Sequence, residues 1–103
     1  MIFTFVFDER LDIEVPKVYT AWNHLDAGTQ EEILTRWERS RGQIPDRIKE
    51  LDQEIEKKQQ LLYNEDDFEK SCRINEDIAE LASIINDLWI WYRSTEAVTI
   101  TSL

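Results

Sequence analysis

The sequence predicts a mainly α-helical fold. It is built on an antiparallel hairpin of two long, coiled-coil-like helices, preceded by short helices and flanked by a short β-prone segment at each chain end. Three observations predict it. Ile74, Ile78, Leu81, Ile85, Leu88 and Tyr92 recur at steps of four, three, four, three and four, the spacing of a heptad seam. Ile44, Ile48, Leu51, Ile55 and Leu62 repeat the pattern upstream, with Lys58 interrupting one position. Between the two runs stand Asn64, Glu65, Asp66 and Asp67, a turn and cap signal short enough to fold one helix back on the other.

Taken in order, residues 2–7 are Ile, Phe, Thr, Phe, Val and Phe, a β-branched and aromatic run that leads into Asp8, Glu9 and Arg10 and reads as a short strand. Residues 97–101 have the same character, with Val98 and Ile100 on one face. That makes them an available antiparallel partner for the first strand or for the edge of another copy. Pro16 suits a first helical turn, and Val18, Tyr19, Trp22 and Leu25 then recur at helical spacing, which predicts a short helix ending before Gly28. Thr29 followed by Glu32 has capping-box form and predicts a second short helix with Ile33, Leu34 and Trp37 on its apolar side and Gly42 as its stop. Pro45 and Asp46 suit the first turn of a helix running to about residue 63.

Arms of about 18 and 26 residues reach roughly 27 and 39 Å, so the second overhangs the first. The overhang carries Leu88, Trp89, Ile90, Trp91 and Tyr92, apolar all around the helix, and something has to cover it. The organisation expected is one domain, with strand and short helices over 1–43, the hairpin over 44–93 and a tail or strand over 94–103.

The charge balance limits the function classes. Twelve Lys and Arg stand against 22 Asp and Glu, a formal net charge of -10, so the field disfavours direct contact with nucleic-acid phosphates or anionic lipid. Cys72 is the only cysteine, which excludes an intramolecular disulfide and fits a reducing compartment. The apolar opening has no basic leader and runs straight into Asp8, so it reads as mature structure. No apolar run approaches the ~20 residues of a membrane helix. A cytoplasmic, soluble protein is expected.

The chemical inventory is thin. His24 and Cys72 would be the sole base and nucleophile, but a helix-end imidazole and a thiol on a helix read more simply as structural residues. One His and one Cys do not make a zinc site within one chain. Asp66 with Glu69 and Asp77 with Glu80 resemble helix-borne metal-binding pairs, yet 11 helical residues separate them by about 16 Å, too far to share an ion. Gly28 and Gly42 belong to no phosphate-binding loop. No catalytic residue, metal or cofactor is therefore expected.

The expectation is a non-enzymatic protein-interaction or assembly module that binds a protein partner, with a homo-oligomer, above all a dimer, as the first candidate. Its contact residues would be Leu88, Trp89, Trp91 and Tyr92, since clustered aromatic side chains dominate protein interfaces. A second reading is an acidic mimic of nucleic acid that occupies a basic groove through Asp66, Asp67, Glu69, Glu76, Asp77 and Glu80. A third is an enzyme whose carboxylates, or His24, converge across a symmetric dimer.

Overall fold

The computed structural model describes residues 2–93 and is mainly helical, with a two-stranded antiparallel sheet at the amino-terminal end. The elements are β1 (Phe3–Asp8), β2 (Ile13–Val18), a 3-10 turn (Trp22–His24), α1 (Ala27–Arg41), α2 (Ile44–Tyr63) and α3 (Phe68–Arg93).

The first strand is where the sequence places it, but its partner is β2. Phe3 opposes Val18, Phe5 opposes Pro16 and Phe7 opposes Glu14. The expected pairing with residues 97–101 lies outside the described residues. The helix expected from Pro16 to Leu25 is corrected to a strand followed by a single 3-10 turn. Two local features account for this. Asp8 closes a tight reversal, accepting from Leu11 N–H through its carboxylate (3.0 Å) and from Asp12 N–H through its carbonyl (2.7 Å), and Asp12 takes a left-handed φ of 62° that Asp tolerates better than most residues. That reversal returns β-branched Ile13, Val15 and Val18 alongside β1. Cross-strand packing there outweighs a helical spacing that Val18, Tyr19, Trp22 and Leu25 satisfy only on paper.

Pro16 is compatible with the strand because of register. Tyr19 N–H donates to Ile2 C=O at 2.8 Å, so the hydrogen-bonded pairs fall on Ile2, Thr4, Val6 and Asp8, and Pro16 opposite Phe5 occupies a position whose nitrogen faces away from β1.

The start of α1 is a second correction. Asp26, which reads in the sequence as an interruption, is the N-cap, its carboxylate accepting from Thr29 N–H at 2.6 Å, so Thr29 lies inside the helix and makes no capping box. This contact, with further help from the Thr29 side chain and Gly28 N–H, holds the Asp26 carboxyl below its ordinary value. Gln30 then reaches back to Trp22 C=O at 3.0 Å and fixes the 3-10 turn to the helix. At the other end Gly42 follows α1 as its C-cap, and Pro45 and Asp46 occupy the first turn of α2, as the sequence predicts.

Four residues join α2 to α3, and the two helices pack along one another. At their base Ile44, Ile48, Leu51, Ile84 and Leu88 are buried with Ile33 and Trp37 of α1 and Leu11, Ile13 and Val18 of the β-hairpin, forming one core. Farther out, Ile55, Leu62, Ile74 and Ile78 are only half-buried, because two helices alone cannot enclose a seam. Lys58, the interruption in the heptad, extends across this stalk to Asp77 at 3.1 Å.

Candidate interaction surfaces

The overhanging end of α3 is covered on one side and open on another. Leu88 is 0% exposed and belongs to the base core. Trp91 is half-buried against Trp37, with ring centres 5.1 Å apart. Tyr92 lies under the guanidinium of Arg41, which stands 4.4 Å from the ring centre while its Nε donates to Tyr92 C=O at 2.9 Å. The α1 helix thus supplies the cover that the sequence requires. The next positions around α3 escape it: at about 100° per residue Trp89 and Ile90 turn progressively away from Leu88, and they are 40% and 52% exposed. Trp89 is steadied by Tyr92, edge to face at 5.6 Å. Of the four residues the sequence singles out, Leu88 and Trp91 therefore serve the fold, while Trp89 and part of Tyr92 remain on the surface together with Ile90.

Two further apolar surfaces carried no warning in the heptad pattern. Tyr63 and Phe68, 90% and 81% exposed, flank the connector at the tip of the stalk. Ile2, Val6 and Phe7 are exposed along β1. The signal for the tip was present as large apolar residues beside a turn. The signal for β1 was hidden by the imperfect alternation of a strand whose two faces are both partly covered.

The acidic residues are not a uniform surface. Asp77 pairs with Lys58, and Glu80 receives Arg10 Nε at 3.0 Å. Asp67 caps α3, its carboxylate accepting from Lys70 N–H at 3.1 Å. Asp66, Glu69 and Glu76 are exposed. Arg10 is the residue that sequence reasoning passed over. From the β-hairpin turn it also reaches Asp87 at 2.6 Å and Ser83 at 2.8 Å, so one guanidinium binds three side chains on a single face of α3. Asp87 first, then Glu80, raises its pKa above the ordinary value. No local pattern could have indicated partners seventy or more positions away.

Neither candidate for thiol chemistry gains a neighbour of that kind. His24 is exposed in the 3-10 turn, and Cys72 is exposed in the second turn of α3 near the stalk tip. Among the described residues no three His, Cys, Asp or Glu side chains are grouped to hold a metal ion, and no helix is long and apolar enough to cross a membrane. An open cleft of about 430 Å³ between the β-hairpin and α1 is lined by Phe7, Ile13, Glu14, Arg36, Arg39, Ser40 and Gln43. Of these, Arg36 is engaged over the Phe5 ring at 4.4 Å, which makes this wall part of the packing between sheet and helix. Comparison with protein-family models, curated proteins and solved structures returns no significant match.

Proposed function

We propose that this chain is a non-enzymatic protein-interaction or assembly module that uses the free face at the end of α3 as a contact for another protein. The observation that carries the reading is the exposure of Trp89 and Ile90 on a helix whose opposite side is already fixed by Leu88, Trp91 and Arg41. A large aromatic side chain packed edge to face on Tyr92, beside an exposed aliphatic one, can anchor an interface. The charged faces of α2 and α3 keep the rest of the helical surface soluble. The mimic reading has less support, because Asp67, Asp77 and Glu80 already serve contacts within the chain.

The test is substitution of Trp89 by Ser. Association with a partner protein through α3 falls by about tenfold or more while helix content stays unchanged. Equal loss of association and helicity would make Trp89 a packing residue and remove the proposal.

A further inference from the structure

We propose that the outer edge of β1, the side away from β2, pairs antiparallel with the same edge of a second copy, converting two two-stranded sheets into one four-stranded sheet about a twofold axis. This contact is separate from the α3 surface and rests on the backbone of the sheet. The register set by Tyr19 N–H on Ile2 C=O turns the amides and carbonyls of Thr4 and Val6 toward β2 and those of Phe3, Phe5 and Phe7 away from it. Among the described residues no strand pairs with that outer side.

Proteins normally guard such an edge with proline, lysine, an inward charge or a bulge. The β2 edge is guarded, since Pro16 removes its central donor and Glu14 and Lys17 charge the strand. From Phe3 to Phe7 β1 has none of these devices, its one charge being Asp8 at the end of the strand, and Val6, Phe7 and the preceding Ile2 are exposed.

Three features specify a second copy as the occupant. The edge is self-complementary: centred on Phe5, Phe3 meets the partner's Phe7 and Phe5 meets the partner's Phe5, and three pairs exchanging two bonds each give about six hydrogen bonds. In a chain with net charge -10, this uncharged run is a surface that another copy can approach without setting carboxylates against carboxylates, because Asp8 falls opposite the partner's Ile2. Since Pro16 blocks the other side, growth stops at two copies and the assembly closes as a dimer.

The experiment is light scattering over a protein-concentration series on wild type, Phe7→Lys and Trp89→Ala, with amide hydrogen exchange at Phe3, Phe5 and Phe7. Phe7 is 53% exposed, so a lysine there leaves the fold intact, which circular dichroism verifies. The proposal expects twice the chain mass for wild type and Trp89→Ala. It expects a dissociation constant raised about tenfold or more in Phe7→Lys, and outward amides that exchange about tenfold more slowly in the dimer. Should Phe7→Lys lose its fold, the exchange of those three amides in wild type at high and low concentration decides alone. A wild-type monomer overturns the edge contact and leaves the α3 surface to be tested with a different protein. A dimer lost in Trp89→Ala but kept in Phe7→Lys also overturns it, and moves the second copy to α3.

Discussion

Leu88 and Trp89 are neighbours in sequence and differ in exposure, and truncating each to alanine separates the core from the proposed contact surface. Leu88 is wholly enclosed at the junction of α1, α2 and α3, so Leu88→Ala removes buried methyl and methylene groups and leaves a cavity in the core formed by the described residues. Substitutions of that kind cost about 3 to 5 kcal/mol. Total stability for a chain of this size is on the order of 5 to 15 kcal/mol, so the variant loses a large part of it. Trp89 is 40% exposed and loses chiefly its edge-to-face contact with Tyr92, worth about 1 kcal/mol. Urea unfolding followed by far-ultraviolet circular dichroism, at one low protein concentration, reads both. With a urea dependence of about 1 to 3 kcal/mol per molar, the Leu88→Ala midpoint falls by roughly 2 M and the Trp89→Ala midpoint by well under 1 M. Association shows the reverse order once Leu88→Ala is measured where it remains folded. Midpoints within ~0.3 M of each other would refute the division of α3 into a core face and a contact face.

Other perturbations follow from single contacts. The Asp26 carboxyl is lowered from 3.8 by its hydrogen bonds at the start of α1, so its stabilisation is fully present above the unfolded value and is lost as pH falls through the depressed folded value. The melting temperature of wild type should therefore exceed that of Asp26→Asn at neutral pH, with the gap closing below about pH 4; a gap that does not change with pH excludes a charged cap. Lys58 is half-buried on the seam, and its exposed partner Asp77 contributes at most about 1 kcal/mol. Lys58→Met should keep the heptad filled and raise stability by up to about 1 kcal/mol, measured by thermal melting; a loss above that size would mean the ion pair orders the stalk.

The helical half of the molecule was legible because periodicity is a local property that burial enforces. Ile44, Ile48, Leu51 and Leu88 lie inside as their spacing requires, although on α3 Ile84 is buried and its neighbour Ile85, a member of the expected seam, is only half-buried; Pro45 and Gly42 mark the boundaries through backbone chemistry that needs no distant partner. The amino-terminal third was misread where local and tertiary preferences diverge. Val18, Tyr19, Trp22 and Leu25 fit a helical face, but Asp8 and Asp12 build a reversal that gives β1 its partner at once. Asp26 and Thr29 compete for the same capping role, and the carboxylate, a stronger acceptor than a hydroxyl, takes it. The exposure of the α3 end was half legible. The cluster from Leu88 to Tyr92 announces that it needs cover, but which members receive it depends on where Trp37 and Arg41 of α1 arrive, and that is a property of the fold.

The most direct test of the central claim is site-specific photo-crosslinking in cells of the native host, with a photoreactive phenylalanine analogue at Ile90 and, as a control, at Glu54 on the polar face of α2. The interaction reading predicts a discrete protein adduct from position 90, whether with a different protein or with a second copy, and none from position 54. Adducts absent from position 90, or equal and diffuse from both, would contradict it and leave the exposed Trp89 and Ile90 as ordinary surface.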